Sequence, residues 1–254
     1  MKKILALSCL FAAFHLQAQA QPLRIATDVS YPPFSKQNPD GSIVGFDADI
    51  ARALCDKMKV ECELSAHDFD GIIPGLQAKK YELAIASMNI SPDRAKVVSF
   101  SDMYFNIPGR LIAKEGTPVS GDWFKGKRIG VLRGAIQMKE SSEKWGRNGA
   151  QIKGYGKITD AFLDLKGGRL DYVYVDATIG EADFLKTPFG KGFAFVGPVF
   201  NDPKYYMGSG IAVQKGNKEL LAKVNAALKA ILADGTYRSI ERRYFSYDIY
   251  PHKH

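Results

Sequence analysis

The chain is poor in the residues from which most metal and nucleophilic sites are built. Its 254 residues hold three cysteines and four histidines. The histidines form no metal-spaced cluster: His15 lies near the start, His67 stands alone and is expected on the surface, and His252 and His254 sit in the tail. No Ser-His-Asp order can be traced, which removes the usual pattern of nucleophilic hydrolysis. Beyond the first stretch, no run approaches the roughly 18 apolar residues of a membrane span. Low-complexity segments and short-period repeats are also missing. The formal charge is +8, yet lysines and arginines never gather into a block. That balance reads as a solvated surface, and no nucleic-acid partner is expected.

What is present begins with an address. Lys2 and Lys3 precede an apolar core from Ile4 to Phe14, and Ala18-Gln19-Ala20 is a small-x-small cleavage site. Residues 1–20 therefore read as a secretory signal peptide whose apolar core is too short to span a bilayer. Cys9 precedes any adequate apolar run, so lipidation there is not expected. The mature chain is expected to begin near Gln21, exported and soluble. Losing two lysines and no acid lowers its formal charge to +6. Cys55 and Cys62 are then the remaining cysteines. Export favours their pairing, and closing so small a loop is worth about 2–3 kcal/mol in the chain-entropy model. A metal pair would need further Cys or His nearby, and free thiols are the other alternative.

Strand and helix patterns alternate along the chain, which argues an α/β fold with a parallel, doubly wound sheet. Leu23–Asp28 alternates like a first strand, and Tyr31-Pro32-Pro33-Phe34 is a stiff loop bearing two aromatics. Phe46, Ile50, Ala53, Leu54 and Met58 recur at helical spacing, with Asp47 as a candidate cap. A strand through Cys62 and Leu64 follows. The next helix is opened by Asp70 and can hold Pro74 only in its first turn. Leu83–Ala86 reads as the third strand. Asn106-Ile107-Pro108-Gly109 has the character of a crossing segment, after which a second alternating unit begins. Lys127–Leu132 is its strand, Arg133-Gly134 a turn, and a helix starts at Ala135. Ile158–Lys166 is a helix stopped by Gly167-Gly168, and Tyr172–Val175 a buried strand ending at Asp176. A second crossing, Met207-Gly208-Ser209-Gly210, leads into Ile211-Ala212-Val213. A long amphipathic helix through Leu220–Leu232 comes next, then a short one through Ile240 and Tyr244. Two crossings imply two lobes, with 108–207 inserted into a lobe made of 21–107 and 208–254.

Chemistry concentrates where Leu83-Ala84-Ile85-Ala86 turns polar at Ser87 and Asn89 and restarts at Ser91-Pro92-Asp93-Arg94. Serine at the N-cap, proline at the first helical position and an acid in the first turn make a helix start. Arg94 falls one turn in, at the mouth where ligands of open α/β sheets sit. A planar guanidinium there can grip a carboxylate through two parallel bonds. A solvated arginine beside a capped helix is the plainer alternative.

In this order the fragments Gly45-Phe46-Asp47-x-Asp49-Ile50-Ala51, Ile73-Pro74-x-Leu76, Ile90-Ser91-Pro92-x-Arg94, Gly126-Lys127-x-Ile129-Gly130-Val131, Gly168-Arg169-x-Asp171 and Asp234-Gly235-Thr236-Tyr237 carry a resemblance over nearly the whole mature chain. It resembles the periplasmic solute-binding proteins of polar amino-acid ABC importers, and within them the lysine/arginine/ornithine and histidine binders. Cys55 and Cys62 match a disulfide typical of that branch. The resemblance implies a type II periplasmic-binding-protein fold, with two lobes, two hinge crossings and a doubly wound sheet in each lobe. It also implies capture of a free basic L-amino acid in the periplasm by hinge closure, and delivery to an inner-membrane ABC permease, by a monomer without cofactor or metal.

Carried over by position, Arg94 would clamp the α-carboxylate, helped by backbone amides around Ala135, Ile136 and Gln137. Asp176 from the other lobe would take the α-ammonium together with Ser87. Asp28 would meet the cationic end of the side chain, Tyr31 and Phe69 would stack on its planar or apolar part, and Asn89 would add an amide. Buried charges need partners, which is why a basic zwitterion calls for one cation and two anions. As alternatives, Asp28 is a turn-capping acid, Asp176 an N-cap for Ala177, and Tyr31 and Phe69 core aromatics. Arg133 and Ile136 depart from the branch pattern: the first adds a charge near the mouth, the second removes a hydroxyl. The neighbouring possibilities are another polar or arginine-derived ligand, or a cyclohexadienyl or arogenate dehydratase-like enzyme. The latter needs a positioned proton donor, for which the acids already assigned to ammonium and cation leave no candidate, so no catalytic residue is expected.

Overall fold

The computed structural model describes residues 21–251; the leader assignment, Cys9 and the last two histidines lie outside the described residues. The chain opens with β1 (Leu23–Thr27), followed by a small antiparallel sheet of β2 (Ser30–Tyr31), β3 (Ser35–Gln37) and β4 (Ile43–Val44). Then come α1 (Phe46–Met58), β5 (Cys62–Ala66), α2 (Phe69–Gln77), β6 (Leu83–Ala84), α3 (Pro92–Val97) and β7 (Val98–Phe105). After the first crossing run β8 (Gly109–Lys114), β9 (Arg128–Leu132), α4 (Ile136–Lys144), β10 (Gln151–Tyr155), α5 (Ile158–Lys166) and β11 (Tyr172–Asp176). The short α6 (Ala177–Ile179) leads on to β12 (Phe193–Phe200), β13 (Ser209–Gln214), α7 (Lys218–Ala233) and α8 (Thr236–Tyr244). Two five-stranded sheets result, ordered β5-β1-β6-β13-β7 and β10-β9-β11-β8-β12.

The sheets are mixed, which corrects the expectation of purely parallel ones. β1 lies parallel to β5 and β6, but β13 runs against both β6 and β7. In the second sheet β9 lies parallel to β10 and β11, and β8 runs against β11 and β12. The reason is geometric. β8 and β13 each enter their sheet directly from the other one, so each starts at the edge where its neighbours finish and must run backwards. That shared edge is where β1, β6, β9 and β11 deliver their C-terminal residues, the ligand side of open α/β sheets.

Local details differ from the sequence reading in instructive ways. Asp47 does not cap α1. Gly45, at φ 127°, precedes the helix, and a Cβ there would fall 2.3 Å from the Phe34 carbonyl. The close approach lets the carbonyls of Pro33 and Phe34 take the amides of Phe46 and Asp47 at 3.0 and 2.9 Å, which frees the Asp47 side chain to turn inward. At α2 the N-cap is Asp68 and not Asp70, and Pro74 stands in the second turn, not the first. The bond it forfeits is to the carbonyl of exposed Asp70, within reach of water. Strand pairing at Leu83–Ala86 stops at Ala84. His67 is half-buried instead of exposed, with a ring nitrogen 3.1 Å from Ser65 Oγ and its ring 4.7 Å from that of Tyr81. Cys55 and Cys62 form a disulfide that ties α1 to the start of β5.

Candidate functional site

Arg94 is presented by a well-made helix start. Ser91 Oγ accepts the Arg94 amide at 3.3 Å and Pro92 occupies the first turn of α3. The guanidinium is not a free surface group. Nη1 donates to the Asn89 carbonyl at 2.5 Å and Nη2 to the Gly134 carbonyl at 2.8 Å, the latter beyond the first crossing. Its carbon lies 5.4 Å from the centre of the Phe69 ring, a cation–π distance. Burial pushes the guanidinium down to about 10, with the Asp176 carboxylate opposing; it therefore stays charged at neutral pH.

Asp176 ends β11 and is buried. It holds the N-cap position of α6 but makes no side-chain capping bond. Its carboxylate instead accepts the Tyr31 hydroxyl on Oδ2 at 2.7 Å and the Gln137 amide on Oδ1 at 2.5 Å. Burial pushes its carboxyl up to about 6, against the pull of Tyr31, Gln137 and Arg94. Tyr31 thus contributes its hydroxyl, a role the aromatic reading did not anticipate. Beside it, Ile136 and Gln137 are the first residues of α4, whose amides have no acceptor within the helix and point at whatever sits there.

One narrow cavity brings these groups together. Tyr31, Phe69, Ser87, Asn89 and Arg94 line it from the side of the first sheet; Ile136, Gln137 and Asp176 line it from the second. Leu132 and Ala135 complete the wall. Leu132 was missed because the last apolar residue of a strand looks like any core residue. Asp28 does not line the cavity. It is buried just after β1, with Oδ1 accepting the Ser30 amide at 2.9 Å and hydroxyl at 2.7 Å, as a turn-capping acid would. Its Oδ2 is buried with no hydrogen-bond partner among the described residues. Burial raises its pKa, with the two Ser30 bonds opposing.

Arg133 turns outward and pairs with Asp70 across the mouth at 3.5 Å. Ser87, at φ 51°, donates its hydroxyl to buried Asp47 at 2.9 Å. Among the described residues, no group of three or more His, Cys, Asp or Glu is placed to hold a metal ion, and no helix is long and apolar enough to cross a membrane. The arrangement offers a fixed cation, a fixed anion and free helix amides on opposite walls of one enclosed space. Such a set is complementary to a small zwitterion.

The family model for bacterial extracellular solute-binding proteins, family 3, matches residues 23–247. The L-arginine-binding protein of Pseudomonas aeruginosa is 44% identical over 236 residues, covering 92% of this chain and 91% of that protein. The lysine/arginine/ornithine-binding periplasmic protein of Escherichia coli is 39% identical over 256 residues, covering 98% of each. Among solved structures, an ancestral arginine-binding protein bound to arginine superposes with a TM-score of 0.81 at 37% identity, covering 89% of this chain and 98% of that one.

Proposed function

This chain belongs to the bacterial extracellular solute-binding proteins of family 3, and from that premise we propose that it captures a basic L-amino acid, with arginine, lysine, ornithine and histidine as the candidate set. Arg94 takes the α-carboxylate, together with the amides of Ile136 and Gln137. Asp176 and Ser87 take the α-ammonium. Asn89 lends an amide, Tyr31 and Phe69 flank the side chain, and Asp28 receives its cationic end. Residues 21–107 with 208–254 form one lobe and 108–207 the other. The protein leaves the cytoplasm through its first 20 residues, acts in the periplasm as a monomer, and hands its cargo to an inner-membrane ABC permease.

The observation that carries this reading is that Arg94, on α3, and Asp176, at the end of β11, line one cavity. A zwitterion touching both favours the closed arrangement by its differential contacts, the condition for closure. Preference for a basic side chain rests on Asp28 Oδ2, since a buried carboxylate oxygen without a partner is costly until a cation reaches it. The cavity walls come from both sheets, so the ligand enters when the lobes part.

The test is a thermal-shift panel of the common amino acids with ornithine and citrulline, followed by calorimetry on the hits. Basic amino acids are expected to raise Tm by mass action. Asp28→Asn is expected to weaken arginine and lysine while sparing neutral amino acids. A panel with no hit removes the reading; equal arginine affinity in Asp28→Asn removes the side-chain assignment.

A further inference from the structure

Behind the cavity wall a further carboxylate is buried. Asp47, in the first turn of α1, is 1% exposed and accepts two hydroxyl protons. Its Oδ2 takes that of Ser87 at 2.9 Å, and its Oδ1 that of Tyr104 at 2.8 Å. The Tyr104 oxygen in turn accepts the Ser87 backbone amide at 3.2 Å. Ser87 is therefore held at its amide and its hydroxyl, in a left-handed backbone conformation with φ 51° that residues bearing a β-carbon seldom adopt. Ser209 Oγ donates to the Ser87 carbonyl at 3.3 Å, which fixes the third polar group of the same residue.

A serine hydroxyl has one proton to give and two lone pairs to offer. With the proton directed at Asp47, Ser87 can present only lone pairs to the cavity it lines. We propose that Asp47 is a positioning residue that holds Ser87 as a hydrogen-bond acceptor towards the cavity, and that this polarity selects ligands carrying an ammonium at that end. The inference rests on the reading of the cavity as an amino-acid site and adds to it the group that sets the direction of one of its hydrogen bonds. Asp47 touches no ligand itself; it acts through Ser87.

Replacing Asp47 with asparagine inverts the arrangement with little change of shape. Asparagine has one acceptor oxygen where aspartate has two. Tyr104, whose oxygen already receives the Ser87 amide, keeps its donor role towards that oxygen. The amide nitrogen then faces Ser87 Oγ and donates to it, which turns the serine proton into the cavity, against an incoming ammonium.

The experiment is competition calorimetry on the full mature chain with L-arginine and with des-amino arginine, the analogue lacking only the α-amino group. Asp47→Asn should weaken L-arginine by roughly tenfold or more while moving the des-amino analogue by about twofold or less, the difference expected for one hydrogen bond to a charged group. Ser87→Ala should lower the same ratio of affinities, and adding Asp47→Asn to it should cost little more. Equal losses for both ligands in Asp47→Asn, or an undiminished cost in the Ser87→Ala background, would overturn the proposal. Should Asp47→Asn fail to refold, Ser87→Ala carries the test alone, and an unchanged ratio overturns it. If the unmodified protein does not bind L-arginine in the same titration, the amino-acid reading itself falls.

Discussion

Arg94 and Asp176 face each other across the cavity, and burial presses on the two in opposite ways. It pushes the guanidinium down to about 10 and the carboxyl up to about 6. The arginine remains charged at any physiological pH, whereas the aspartate sits near the edge of ionisation. In the role proposed for Arg94, removing the cation would leave a ligand carboxylate without its partner in a desolvated site. Arg94→Ala is therefore expected to cost about 3–5 kcal/mol of binding, roughly two to four orders of magnitude in Kd, by calorimetry. For Asp176 the sign of the pH effect follows from its raised value. Between the ordinary 3.8 and about 6 the folded chain holds a proton that the unfolded chain has released. The group's contribution to stability is fully present below the ordinary value and is lost as pH rises through about 6. Ligand binding runs the other way, because an ammonium favours the ionised carboxylate. Affinity for arginine should fall as pH drops below about 6, approaching tenfold per pH unit. A Kd that stays flat between about pH 7.5 and about pH 5 would contradict the role given to Asp176.

At the scale of single elements, small backbone decisions place the site. Ser91 starts α3 where Arg94 can reach the cavity, and Gly45 allows the loop before α1 to satisfy that helix's first amides, which releases Asp47 for the interior. The helix pattern of α1 was legible because its apolar residues recur every three or four positions. The inward turn of Asp47 was not, since a polar residue in a first turn is equally consistent with a cap. The Cys55–Cys62 bond joins α1 to β5, away from the cavity. Replacing both cysteines with serine should cost about 2–3 kcal/mol of stability and lower Tm by several degrees, with arginine affinity unchanged. A changed affinity would mean that this end of α1 communicates with the cavity.

Across the whole molecule, contacts between the lobes fall into two kinds. The inner ones converge on the cavity: the buried bond from Tyr31 to Asp176, and the bond from Arg94 to the exposed Gly134 carbonyl beside it. The exposed ones ring its mouth: Arg133 with Asp70, and Lys139 with Asp93. Solvated ion pairs contribute about 0–1 kcal/mol each, so the closed arrangement is held chiefly by the inner set. Substituting Arg133 and Lys139 together with serine is expected to shift arginine affinity by less than about thirtyfold. A larger loss by calorimetry would assign closure to the mouth. The C-terminal segment adds a third connection, with the Tyr247 hydroxyl 2.9 Å from Thr178 Oγ1.

What the sequence determined by itself is whatever depends on neighbours along the chain: the alternation of strand and helix, the capped start at Ser91, the two crossings and the residue types a zwitterion needs. Eight of the nine binding residues implied by the family resemblance line one cavity. Tertiary structure alone decided the direction of each strand, because an entry edge exists only once two sheets face each other. It also decided which partner each polar group takes. The Tyr31 hydroxyl meets Asp176 across 145 positions of chain, and Asp47 meets Ser87 across 40. Hydrogen bonds of that kind leave no periodic trace in a sequence, since they are set by what packing brings within 3 Å and seals from water.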